Sequence, residues 1–231
     1  MAILTIIPAR GGSKGVKKKN IRSVGSMSLV GRAVKCSLDS GIIEHVLVST
    51  DDVSIRDEAI RYGAEVPFLR PADLSDDNAS IEDTLFHAIT CFEASMKITV
   101  SVVVLTEPTN PFRTPDKIRE AVKLFQTGKY ASVVSVCPVE RVPQNIFEKK
   151  GDIITRFIKE PKVNINRRQD MKHLCRLSSE VYVFGRDEFL KKRQLILPPT
   201  GFVESTNIEA INIDEELDLE IADFIANKYG I

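Results

Sequence analysis

The chain has 231 residues, 43% of them hydrophobic, with 32 Lys plus Arg against 32 Asp plus Glu. That length suits one α/β domain over residues 1–231, with a substantial core, better than two independent domains. Balanced charge excludes long-range attraction to nucleic acid or to an anionic membrane, and no apolar run has the length of a membrane span.

In chain order, residues 2–7 form a short apolar run that predicts a buried strand, and a glycine- and cation-rich stretch follows it. Helical periodicity over 28–40 ends before Gly41, the run 45–50 predicts a second strand, and 52–62 a helix ending before Gly63. Ser80-x-x-Asp83 opens a helix over 80–94, residues 100–105 predict a strand, 115–127 a helix and 131–137 another strand. This alternation is the pattern of a layered α/β domain with a mostly parallel sheet. From 138 to about 178 prolines and charges interrupt the pattern, as an inserted arm would. Beyond it lie a strand-like run at 180–184, an expected strand at 208–213 and a final helix at 215–229 with glutamates at its start. Cys36, Cys91, Cys137 and Cys175 are widely spaced, sit in or beside apolar runs and contain no CxxC pair, which predicts buried reduced thiols. MAILTII lacks a cationic lead-in and a cleavage site, so a cytoplasmic location is expected.

The stretch IPARGGSKGVKKKN carries the chemistry of the first half. A loop leaving a parallel strand sits at the carboxyl edge of the sheet, where open α/β folds bind ligands and free backbone amides cradle phosphate. Gly11, Gly12 and Gly15 permit close approach, and Arg10, Lys14 and Lys19 supply charge for a triphosphate. The spacing is neither a Walker loop nor a GxGxxG fingerprint.

Seven segments carry a resemblance: IPARGGSKGVKKKN, VLVSTDD, YGAEVPFLRPADLSDDNAS, EPTNPFRT, SVVSVCPVE, RRQD and INIDEELDLEIAD. In this order the chain resembles the acylneuraminate cytidylyltransferases, the CMP-sialic acid synthetases, over nearly its whole length. The likeness implies a Rossmann-like fold, a dimerisation and substrate arm at about 138–180, a homodimer, and CTP and Mg2+ as co-substrate and metal. The implied reaction joins CMP to the anomeric hydroxyl of a 2-keto sugar acid and releases pyrophosphate. It places Arg10, Lys14 and Lys19 on the phosphates, with Pro8, Ala9, Gly11, Gly12, Ser13 and Asn20 around the nucleotide. Arg70, Ala79 and Ser80 fall near the base, and Arg70 could instead pair with Asp73 at the surface.

The chain departs from that pattern in three places. INIDEELD resembles a metal segment usually read IDID, so Asp214 is the expected magnesium ligand and Asn212 replaces the first aspartate with a neutral oxygen. Asp214 also stands where a helix N-cap is expected. Glu107 replaces a usual glutamine, and Ser178-Ser179-Glu180 replaces a usual Asn-Gly-Ala run. Glu107 and Thr109 then face the sugar, with Arg168 and Arg176 available to grip its carboxylate or a partner subunit. The alternatives are a same-fold nucleotidyltransferase for another sugar acid or base, and a nonreacting nucleotide-binding protein. His45, His87 and His173 show no metal spacing, Asp51 and Asp52 could be a second metal pair or a helix start, and VKKKN lacks the aromatics of an RNA-binding run.

Overall fold

The computed structural model describes residues 2–139, 146–158 and 174–231. A six-stranded sheet is built from β1 (Ala2–Pro8), β4 (His45–Ser49), β5 (Val100–Leu105), β6 (Ser132–Pro138), β9 (Cys175–Gly185) and β10 (Thr200–Glu204), in the order β10-β6-β9-β5-β1-β4. β1 runs parallel to β4 and β5, with Ile6 opposite both Leu47 and Leu105, and β10 runs parallel to β6. Only β9 is reversed, antiparallel to both β5 and β6. Two small hairpins, β2 (Ser23–Val24) with β3 (Met27–Ser28) and β7 (Phe147–Lys150) with β8 (Ile153–Arg156), stand apart from it.

The central strands β1, β4, β5 and β6 are largely apolar because both faces are covered. Leu4, Ile6, Val103, Leu105 and Phe184 point to one face, where Leu85, Ile89 and Phe92 of α3 (Ile81–Met96) and Phe189 of α5 (Arg186–Lys192) pack on them. Val102, Val104, Val133 and Val183 point to the other, against Ile118, Ala121 and Val122 of α4 (Pro115–Gln126). Ile7, Val46 and Val48 pack on α1 (Leu29–Asp39) and α2 (Val53–Arg61). Truncating a side chain as buried as Phe92 to alanine costs about 3–5 kcal/mol. The helices start where the sequence places caps: Asp52 Oδ1 accepts from Ser54 N and Ile55 N, and Ser80 Oγ accepts from Asp83 N.

Two expectations are corrected. Residues 208–213 form no strand; their backbone groups bond to loops instead, Ile213 N to Thr109 O and Asn110 Nδ2 to Ile211 O. The edge strand is β10, whose alternating exposed and buried residues follow Pro198-Pro199. The run at 180–184 is the inner part of a central strand, and the insertion leaves and re-enters the sheet between β6 and β9. Cys36 and Cys137 are buried, but Cys91 is half-buried and Cys175 exposed at the start of β9; all four are free thiols. Burial pushes the Cys36 thiol up to about 11, so it is inert at neutral pH. No helix among the described residues is long and apolar enough to cross a membrane.

Candidate active site

Loops leaving the carboxyl ends of β1 and β5 meet the segment before α6 (Glu216–Tyr229) around a cavity of about 430 Å³. Pro8, Arg10, Ser13, Lys14, Lys19, Asn20, Arg70, Ala79, Glu107, Thr109 and Asp214 all line it, so residues 206 positions apart in sequence share one space. The glycine-rich loop keeps its shape because Val16 is fully buried among Val24, Leu29, Phe112, Ile213 and Leu219. Lys17 and Lys18, which follow Val16, are exposed and take no part in the lining. Asn20 Nδ2 donates to Arg10 O at 2.8 Å and closes the loop on itself.

Gly15 carries the tightest requirement. A Cβ there would lie 2.0 Å from the carbonyl oxygen of Asp214, so only glycine lets the loop and the 211–214 segment touch. Gly12 has nothing within 4 Å, and the Gly11 amide donates to Asp51 Oδ1 at 2.9 Å. Asp51 therefore braces the loop and Asp52 caps α2, the helix start expected for the pair.

Each cation already has partners. Arg10 Nη1 donates to Asp76 O at 2.9 Å and Nη2 pairs with Asp77 Oδ1 at 2.9 Å, while Lys14 Nζ meets Asp77 Oδ2 at 2.5 Å. Lys19 Nζ donates to Ile213 O at 2.8 Å and lies 3.5 Å from Asp214 Oδ1. Arg70 is buried rather than paired with Asp73: Nε donates to Ser75 Oγ at 3.0 Å and Nη2 lies 4.0 Å from Asp51 Oδ1. Burial lowers its guanidinium pKa, against the pull of Asp51.

Asp214 is mostly exposed and is not the helix cap; Glu215 is, in a capping box with Asp218, whose Oδ2 accepts from the amides of Asp214 and Glu215, both at 2.9 Å. Asn212 turns its amide nitrogen to Asp214, with Nδ2 donating to Oδ2 at 2.6 Å, and its Oδ1 has no hydrogen-bond partner among the described residues. No group of three His, Cys, Asp or Glu among those residues could hold a metal by itself. Glu107 is half-buried in the cavity; burial pushes its carboxyl up, with Arg113 and Lys19 opposing and Asp214 adding to the rise.

Behind the cavity, Arg113 is buried and ties two strands to it: Nε donates to Glu180 O at 2.5 Å and Nη2 to Glu107 O at 2.6 Å. Glu180 is fully buried; burial raises its pKa, with Ser205, Arg113 and Ser178 opposing the rise. Ser179 takes φ +59°, a conformation that glycine adopts without strain, at an irregularity of β9 opposite Ser135. Ser135 Oγ accepts from both Glu180 N and Val181 N, at 3.1 and 3.0 Å.

Not every expected residue reaches the cavity. Ala9 is turned into the core, Ser80 is occupied as the cap of α3, and Gly11, Gly12 and Asn212 stand behind the lining. Arg176 is exposed on β9 away from it, and Arg168, like His173, lies outside the described residues. The sequence reading missed Leu74, Asp76, Asp77, Ile81 and Thr84, all part of the lining. The paired aspartates of LSDDNAS hinted only at charge, since their cation partners lie far away in sequence.

The architecture is shared with known nucleotidyltransferases: the structure of a CMP:2-keto-3-deoxy-manno-octonic acid synthetase complexed with CTP superimposes with a TM-score of 0.71 at 14% identity, over 99% of this chain and 100% of that one. A likeness at that identity is one of fold. The sequence goes further. A family model described as Cytidylyltransferase matches residues 4–211, and the chain belongs to that family of nucleotide-transferring enzymes. It is 32% identical over 228 residues to the CMP-N,N'-diacetyllegionaminic acid synthase of Legionella pneumophila, covering 94% of this chain and 93% of the relative. Against the pseudaminic acid cytidylyltransferase of Campylobacter jejuni it is 30% identical over 228 residues, covering 96% and 95%.

Proposed function

We propose that this cytidylyltransferase joins CMP from CTP to the anomeric hydroxyl of a sialic-acid-like 2-keto sugar acid, releasing pyrophosphate, and works in the cytoplasm as a homodimer. The observation that carries this reading is the gathering of Arg10, Lys14 and Lys19 in one cavity with Asp214, Glu107 and Arg70. The anomeric hydroxyl oxygen attacks the α-phosphorus and gives its proton to solvent, and the bond from that phosphorus to the bridging oxygen of the β-phosphate breaks. Negative charge develops on the departing pyrophosphate, where Arg10, Lys14 and Lys19 neutralise it beside Ser13. Pro8, Ala9 and Asn20 hold the shape of that wall, and Arg70, with Ala79, faces the base, while Ser80 fixes the start of α3 behind them. Positioning and charge neutralisation then account for most of the rate.

The exposed carboxylate of Asp214 fits a magnesium ion, which binds through one or two carboxylates together with substrate phosphates. Asn212 steadies that carboxylate and offers its unpartnered oxygen beside it. Bound there, the ion would supply Lewis-acid neutralisation of phosphate oxygens. On the sugar side, Glu107 and Thr109 line the cavity, and Arg168 and Arg176 of the arm are the candidates for the substrate carboxylate or the partner subunit. A half-buried carboxylate at 107 favours an acid that presents an amide, amino or hydroxyl donor there. Ile146, Phe147, Ile153, Ile154 and Phe157 are exposed on and around the β7–β8 hairpin, which supports pairing of the arm with a second copy.

The test is pyrophosphate release from CTP and Mg2+ with N-acetylneuraminic, legionaminic, pseudaminic and KDO acids, using UTP and GTP as controls. Release with CTP and one nine-carbon acid is expected. Release with UTP as readily as with CTP, or with none of the acids, contradicts the proposal. Light scattering should give twice the chain mass, and a monomer would refute the dimer.

A further inference from the structure

Asp77 stands between the two loops that face the cavity, one carboxylate oxygen 2.9 Å from Arg10 Nη2 and the other 2.5 Å from Lys14 Nζ. Those two nitrogens are the ones assigned above to phosphate. A carboxylate bridging two cations with its two oxygens occupies them in the manner of a phosphate group. We propose that Asp77 is an internal anion that holds the phosphate-binding cations in the ligand-free protein, yields them to the triphosphate of CTP, and takes them back as pyrophosphate leaves. This deepens the function proposed above and rests on its reading of the cation-rich loop.

Three features of the structure fit an exchangeable contact. The Asp77 side chain is 40% exposed and that of Lys14 78%, so the ion pairs sit in high dielectric, where a carboxylate is held weakly and a polyanion with several charges outcompetes it. The residues around Asp77 are anchored independently: Asp76 Oδ1 accepts from Asn78 N and Ala79 N, Ser75 Oγ donates to Pro71 O, and Ser80 caps α3. Asp77 can thus swing away without unravelling its neighbours. The contact spans two segments of the cavity wall, 10–14 and 76–77, which stay joined by the bond from Arg10 Nη1 to Asp76 O when the Asp77 side chain moves. Hydrogen bonding from Lys14, then Arg10, holds the Asp77 carboxyl below the usual carboxylate range, which keeps it ionised across the working pH.

An internal competitor weakens every ligand that must displace it and leaves alone those that do not. Asp77→Asn keeps the size of the side chain and removes its charge. Calorimetric titration of the full-length protein should show pyrophosphate and CTP binding about fivefold more tightly to the variant than to the wild type, with cytidine, which carries no phosphate, unchanged. Product inhibition by pyrophosphate should strengthen by the same factor. Equal or weaker pyrophosphate binding to Asp77→Asn overturns the exchange, and so does a matching gain for cytidine, which would mean a general opening of the site. Lys14→Ala separates the two levels of the argument. Weaker pyrophosphate binding to that variant, with no gain in Asp77→Asn, would leave the phosphate loop standing and remove Asp77 from the account. Unchanged pyrophosphate binding to Lys14→Ala would overturn the loop assignment and the exchange with it.

Discussion

The two ends of the cavity are built differently. The cationic end comes from one stretch, residues 8–20, folded by its own buried Val16 and closed by Asn20 on Arg10. The carboxylate end is assembled from 107–109 and 212–214, held together by Ile213 N on Thr109 O and Asn110 Nδ2 on Ile211 O, with Arg113 tying it to β9. A contiguous end keeps its residues in register through local structure; an assembled end depends on long-range contacts and tolerates replacement of its members. The departures from the family pattern, at Glu107, Asn212 and 178–180, all fall on the assembled end.

The two ends touch at Gly15 and Lys19, and breaking that seam should have the largest effect. Gly15→Ala drives a methyl into Asp214 O, so CTP turnover should fall more than about 100-fold and the protein should lose about 1–3 kcal/mol, measured by kcat/KM and thermal melting. Gly12→Ala, which meets nothing, should melt like the wild type. Lys19→Ala removes the cation shared between the ends, and a fall of about 100-fold or more in kcat/KM for CTP is expected; unchanged kinetics would remove the residue from the phosphate site.

Subtler changes sharpen the assembled end alone. Asn212→Asp replaces a donor to Asp214 with a second carboxylate, so half-saturation by Mg2+ in a metal titration should fall about tenfold, with the metal-free variant melting lower because like charges meet. Glu180→Gln tests the buried acid. A raised carboxyl pKa contributes stability that is fully present below the ordinary glutamate value and is lost as pH rises through the raised one. The melting temperature of the variant relative to wild type should therefore climb between pH 4 and pH 9; a flat difference would mean that Glu180 titrates normally. Ser179→Gly should gain about 1 kcal/mol, roughly 2–4 °C in a chain of this size, by relieving the positive φ.

Most strands and helices were legible because each carries a complete local signal. The runs at 2–7, 45–50, 100–105 and 131–137 became β1, β4, β5 and β6 within a residue or two, and Ser80-x-x-Asp83 became a cap. The run 208–213 misled because an alternating apolar pattern fits an extended loop as well as a strand, and only pairing partners distinguish them. β10 was hidden by the prolines before it and by Gly201 within it. In the site, Arg10, Lys14 and Lys19 were readable from glycine spacing and charge. Asp77 was not, since its meaning lies in two cations 63 and 67 positions away. Arg176 was readable as a residue type but its place was not: it is exposed on β9 and is not part of the cavity lining.

The most direct test of this two-ended account is a crystal structure of the protein with a nonhydrolysable CTP analogue and Mg2+. The account predicts the triphosphate against Arg10, Lys14 and Lys19, with Asp77 displaced, the cytosine beside Arg70 and the metal on Asp214. A nucleotide bound elsewhere, or one whose phosphates leave the Asp77 contacts to Arg10 and Lys14 intact, would contradict it.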